Sequence, residues 1–75
     1  MSTLKLINHL RRFRKQAGGL TQQGLADLAG VTRQSIISIE QGKYRPTVEL
    51  ALRLARALGC TVEDLFQLTD EEGES

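Results

Sequence analysis

QQGLADLAGVTRQSIISIEQ, residues 22–41, carries two short helical faces separated by a glycine. Leu25, Ala26 and Ala29 fall on one face of a first helix, and Ile36 and Ile39, three apart, fall on one face of a second. Val31 lies between them as an apolar residue of the turn. The small Ala26 lets the second helix cross close over the first, and Gly30 can adopt the positive φ that a turn between helices needs. Thr32 is suited to cap the new start. With Ile36 and Ile39 turned inward, Arg33, Gln34, Ile37 and Ser38 face outward.

Outward from this block the pattern remains helical. Leu6, Leu10, Phe13 and Ala17 form an apolar stripe that predicts a first helix over residues 4–17. Arg11, Arg12 and Lys15 lie off that stripe and read as a solvated charged face. His9 has no second histidine or nearby thiol and reads as a surface residue. Gly18 and Gly19 stop the helix, Leu20 re-enters the core, and Thr21 is a good N-cap for the second helix. Gly42 ends the third. Thr47 caps a fourth, in which Leu50, Leu54 and Leu58 repeat every four residues with Ala51, Ala55 and Ala57 between them. Gly59 closes it, and Thr61 with Asp64 reads as a capping-box variant opening a fifth helix over 61–68. The expectation is an all-α, compact five-helix domain over residues 1–68. Residues 69–75 are acidic, hold no apolar side chain, and read as a disordered tail.

The segment resembles the helix-turn-helix of the lambda-type repressor and Cro family, also called the xenobiotic-response-element (XRE) family. The motif L-T-Q-x-x-L-A-x-x-x-G-V-(S/T)-x-x-x-I-x-x-(I/W)-E-x-G-x-x-x-P is present in order from Leu20 to Pro46. The run GKYRPTVELALRLA, residues 42–55, is similar to small free-standing regulators of the cytolysin-repressor kind. The resemblance implies a lambda-repressor-like domain with the helix-turn-helix at its second and third helices. The third would be the recognition helix entering the major groove. Arg33 could then bond guanine O6 and N7, Gln34 adenine N6 and N7, and Ile37 a thymine methyl, with Ser38 beside them. Phosphate contacts are expected from Gln22 in the first turn of the second helix, where free N–H groups favour an anion, and from Thr32. The basic turn of Lys43, Tyr44 and Arg45 suits phosphates as well. In relatives an arginine at the place of Arg14 pairs with the glutamate that ends the recognition helix, here Glu40. The second glycine at Gly18 and Gly19, and Gly24 where glutamate is common, depart from the family pattern.

Composition agrees with this reading and excludes others. The net charge of +1 conceals a body, residues 1–69, with 10 basic and 5 acidic residues, followed by six residues with 4 acidic ones. A basic body suits nucleic acid. The single Cys60 allows no internal disulfide framework and supplies no metal-ligand set. No apolar run reaches the roughly 18 residues of a membrane span, and the start lacks the order of a signal peptide, so the expected compartment is the cytoplasm. His9 and Cys60 form no catalytic set, and there is no phosphate-binding loop or dinucleotide fingerprint. Neither enzymatic activity, a cofactor, a metal nor a small-molecule ligand is expected.

The expected function is therefore sequence-specific binding of double-stranded DNA as a transcriptional regulator, a repressor on a palindromic operator. An antitoxin or restriction-modification controller would use the same fold, and a protein-interaction module would keep it without binding DNA. A homodimer is expected because one recognition helix reads too few base pairs to stand out in a genome. Leu65, Phe66 and Leu68 place more apolar side chains together than one short helix can turn inward. With Cys60 and Val62 they form the expected dimer interface.

Overall fold

The computed structural model describes residues 4–70, and four threonines in it set where helices begin. Thr21, Thr32, Thr47 and Thr61 each hold extended backbone, and their side-chain oxygens accept from the N–H of Gly24, Ser35, Leu50 and Asp64. Each bond satisfies one of the N–H groups that a first helical turn leaves without an internal partner. The helices that follow are α2 (Gln22–Ala29), α3 (Arg33–Glu40), α4 (Val48–Leu58) and α5 (Val62–Leu65). At Thr61 the capping is reciprocal, since Asp64 Oδ2 accepts from the Thr61 N–H at 3.0 Å. These bonds hold the Asp64 carboxyl below its ordinary pKa.

Among the described residues five helices are present as expected, but the segments towards both termini are shorter in helix and contain a sheet. α1 spans Leu10–Gln16, not residues 4–17, and α5 stops at Leu65, not at residue 68. Residues Leu4–Asn8 form strand β1 and residues Phe66–Asp70 form strand β2, paired antiparallel with Leu6 opposite Leu68 and Asn8 opposite Phe66. A pairing between residues some sixty positions apart leaves no trace in a local periodicity, and the spacing of Leu6 and Leu10 fits a helix equally well. At the junction His9 leaves the strand and donates its backbone N–H to Leu65 O at 2.7 Å, fixing the start of α1 against the end of α5. Thr69 and Asp70, expected in a disordered tail, belong to β2. The remainder of that expected tail, residues 71–75, lies outside the described residues.

The core sits where α2 and α3 cross beneath α4. Leu25, Ala26, Ile36, Leu54 and Leu65 have no exposed surface, and Ile39 almost none. Leu10 of α1 completes it from the other side. The α2–α3 turn closes at Gly30, whose φ of 73° is left-handed and whose N–H is donated to Ala26 O. At Gly24 a Cβ would lie 2.9 Å from Leu20 Cδ1, the far end of a flexible side chain that would have to move aside. Glycine at this position forfeits roughly 1 kcal/mol of helix propensity relative to alanine.

Two outcomes follow from this packing. Ala26→Leu adds carbons at a fully enclosed helix crossing, so urea denaturation should show a loss of about 1 to 3 kcal/mol. An unchanged midpoint would contradict the crossing at Ala26. The lowered Asp64 pKa means that its contribution is present above the ordinary carboxylate value and is lost as pH falls through the folded value. The stability difference between wild type and Asp64→Ala should therefore shrink as the pH is taken below about 4. A difference independent of pH would contradict the capping role.

Candidate nucleic-acid interface

α3 presents its polar side because its apolar side is consumed by the core. Ile36 and Ile39 are buried, whereas Arg33 and Gln34, in the first turn, are exposed. Ile37 and Ser38, one turn on, are half-buried. Gln34 Nε2 approaches Ser38 Oγ at 3.4 Å, a weak bond that lies along the same outward face. Thr32 is exposed, but its oxygen is engaged in capping and sits 3.0 Å from Ser35 Oγ.

The orientation of α3 is set by a buried ion pair. Arg14 Nε donates to Glu40 Oε2 at 2.7 Å and its second terminal nitrogen to Glu40 Oε1 at 3.2 Å, with the two side chains only 10% and 5% exposed. The remaining Arg14 terminal nitrogen donates to Leu20 O at 2.8 Å. Gln22 Nε2 donates to Glu40 Oε1 at 3.2 Å. One carboxylate thus receives donors from α1 and α2 and belongs to α3. The pair expected from the family resemblance is present despite the extra glycine. Gly18 and Gly19 absorb the longer loop with φ of 71° and 74°, in open space. Charge-assisted bonds in a bidentate fork are both stronger and more directional than neutral ones, so this contact fixes helix angles as well as adding energy.

Beside the pair is an open cleft of about 560 Å3 whose lining includes Arg11, Gln22, Gln23, Arg33, Ile37 and Gln41. It brings together three of the expected DNA contacts, Gln22, Arg33 and Ile37. Arg11, read from sequence as part of a solvated face, also lines it, and so do Gln23 and Gln41. Their helical spacing alone gave no means of telling which side of α1 and α2 would border α3. Arg12, by contrast, lies over the Phe13 ring at 5.3 Å.

The turn after α3 is tied back to it. Lys43 and Tyr44 both donate their N–H groups to Ser38 O, at 2.9 and 3.3 Å, leaving the side chains of Lys43, Tyr44 and Arg45 exposed. A smaller depression joins Tyr44 and Arg45 to Lys5 of β1. Lys5 escaped the sequence reading because it was assigned to a helix, and only the strand carries it to this side.

The expected interface residues divide. Leu65 is fully enclosed in the protomer core, a correction to its expected place at a dimer contact: α5 turns it inward under α4, where no second chain could reach it. Cys60, Val62 and Phe66 are half-buried and Leu68 is 65% exposed. Burial, and secondarily the nearby Asp64 charge, push the Cys60 thiol above its ordinary pKa, which keeps it protonated and a poor nucleophile. Among the described residues, no group of three or more His, Cys, Asp or Glu side chains could hold a metal ion. In the same range no helix is long and apolar enough to cross a membrane.

A family model described as helix-turn-helix matches residues 10–65. An HTH-type transcriptional regulator of Methanothermobacter thermautotrophicus is 54% identical over 65 residues, covering 85% of this chain and 91% of that protein. One from Methanocaldococcus jannaschii is 45% identical over 65 residues, covering 87% and 97%. Among solved structures, the restriction-modification controller protein C.AhdI of Aeromonas hydrophila has a TM-score of 0.68 and 34% identity, over 73% of this chain and 82% of that one. The clp gene regulator ClgR of Corynebacterium glutamicum has a TM-score of 0.69 and 33% identity, over 73% and 57%.

The ion pair yields a measurable expectation. Glu40→Ala leaves a buried guanidinium without its partner and should cost about 3 to 5 kcal/mol in urea unfolding, with Arg14→Ala/Glu40→Ala costing less than the sum of the single changes. A loss below about 1 kcal/mol would place the pair among contacts of surface strength instead.

Proposed function

This chain belongs to the helix-turn-helix family, and from that premise we propose that it is a cytoplasmic, sequence-specific DNA-binding regulator of transcription. In this reading it is a repressor that occupies a palindromic operator as a homodimer. The observation that carries the reading is the α3 surface: Arg33 and Gln34 stand exposed on its first turn while Glu40, at its other end, is clamped to α1 and α2. A helix held at one end and open at the other is preorganised to enter a major groove N-terminus first. Arg33, Gln34 and Ile37 read base edges, with Ser38 alongside. Gln22, Thr32, Lys43, Tyr44 and Arg45 hold the phosphates, joined by Arg11 from the rim of the cleft. Thr32, whose oxygen accepts the capping bond, meets a phosphate by donating its hydroxyl proton.

Two copies place their recognition helices in successive grooves of one duplex face, about 34 to 36 Å apart. The surface that joins them includes Cys60, Val62, Phe66 and Leu68. A second reading, a restriction-modification controller, is favoured by the likeness to the controller protein of Aeromonas hydrophila. It shares the DNA chemistry and differs in the gene controlled. A restriction or methylation gene beside this one would support it.

Selection of bound sites from random DNA, followed by fluorescence anisotropy on the selected operator, tests the assignment. Arg33→Ala and Gln34→Ala should each cost about 1 to 3 kcal/mol and relax preference at one base pair per half-site. Lys43→Ala should weaken binding evenly across sequences and reduce the salt slope by about 1. A Lys43 variant with altered base preference, alongside Arg33 and Gln34 variants without it, would reverse the roles given to α3 and the turn. Binding insensitive to salt would remove DNA as the partner.

A further inference from the structure

A depression of about 280 Å3 lies between β1 and the turn after α3. Of the residues that line it, Lys5 and Arg45 are charged, both positively, and no carboxylate is among them. Both cations are exposed. Neither makes an ion pair among the described side chains, where Glu40 is taken by Arg14 and Glu49 by Arg53. The strand register sets Lys5 opposite the uncharged Thr69. Two cations on one depression repel each other, and an anion seated between them relieves that cost. Tyr44 and Asn8 line it as well, with a hydroxyl and an amide that can donate to phosphate oxygens.

The depression and the cleft beside Arg33 flank α3 on opposite sides. Ile37 lines the cleft and Ile39 the depression, and residues two apart on a helix point about 200° from one another. Gln41, just past the helix, borders both. A helix lying in a major groove has a sugar-phosphate backbone on each side, so its two flanks meet different strands. We propose that Lys5 and Arg45 together hold a backbone phosphate in this depression, on the DNA strand across the groove from the one met by Gln22 and Arg11. The inference rests on the DNA-binding reading and deepens it: β1, which precedes the helix-turn-helix in the chain, becomes part of the DNA interface. Pairing with β2 keeps β1 against the turn, so Lys5 is presented from ordered backbone and less entropy is lost on binding. A lysine suits the place, because a point charge on a flexible stem neutralises a phosphate without demanding a fixed fork geometry.

Fluorescence anisotropy of the full chain on its selected operator decides the matter, with single phosphates replaced in turn by uncharged methylphosphonate on both strands of one half-site. Lys5→Gln should bind more weakly than the wild type on every sequence alike. Its deficit should shrink about three- to fourfold between about 50 and 200 mM salt, because one phosphate contact contributes about 0.9 to the salt slope. At one position the methylphosphonate should cost Lys5→Gln and Arg45→Gln less than it costs the wild type. That position should lie on the strand opposite the one where Arg11→Gln loses its sensitivity. Lys5→Arg, which keeps the charge, should bind as the wild type does. Lys5 is exposed and outside the core, so thermal melting followed by circular dichroism should be unchanged in all its variants. A Lys5→Gln protein with wild-type affinity and salt slope would overturn the phosphate contact and leave the DNA-binding reading standing. So would a weakening that comes with a lower melting temperature and an unchanged salt slope, the mark of a structural role in the ribbon. Lys5-dependent and Arg11-dependent positions on the same strand would overturn the placement on opposite flanks. A wild type whose binding ignores both salt and operator sequence would overturn the inference and the DNA-binding reading together.

Discussion

The placement of α3 against α1 and α2 depends on the Glu40 carboxylate. Removing two charges from water is expensive, and a buried pair is tolerated only where its remaining donors and lone pairs are satisfied. Here Arg14 spends one donor on the Leu20 carbonyl and two on Glu40, and Glu40 receives a third donor from Gln22. The four residues that these bonds join lie in different parts of the chain. The pair therefore acts as a joint among α1, the loop after it, α2 and α3, with a directional geometry that apolar packing would not impose. Its position at the C-terminal end of α3 leaves the opposite end unobstructed.

The same joint shapes the chemistry of the surface. Gln22 donates one of its two amide hydrogens to Glu40 and retains the other, so its orientation is set before any ligand arrives. Ile37 lies half-covered in the cleft beside it, which reduces the cost of an apolar side chain on a polar face. Prior ordering of this kind lowers the entropy that binding must overcome.

At the other end of the molecule the constraint is the pairing of β1 with β2. Five-residue strands from the two ends of the chain meet antiparallel, and the His9 to Leu65 backbone bond locks the corner where both become helix. A two-stranded ribbon is marginal alone and needs a packed face. Phe66 supplies part of that face against the core, while Leu4 and Leu68 remain outside it. The sheet also carries Lys5 towards Tyr44 and Arg45. One short ribbon thus contributes to both the basic side and the apolar flank.

From sequence alone the number of helices, the threonine caps, the Gly30 turn and the inward face of α3 were legible, because each is written within a span of three or four residues. The core positions Leu25, Ala26, Ile36 and Ile39 followed from the same short-range periodicity, and the resemblance to the family implied Arg14 and Glu40 as partners. What only the tertiary structure decided were the matters of long range. Leu6 and Leu68 pair across nearly the whole chain, so a segment that scans as helix becomes strand. Leu65 falls inside and Leu68 outside because α5 ends at one and an alternating strand begins, a switch of period from 3.6 to 2 within a single peptide unit. Arg11 joins the cleft for a similar reason: which flank of α1 borders α3 is fixed by the angle between helices, and that angle is set by an ion pair between residues 26 positions apart.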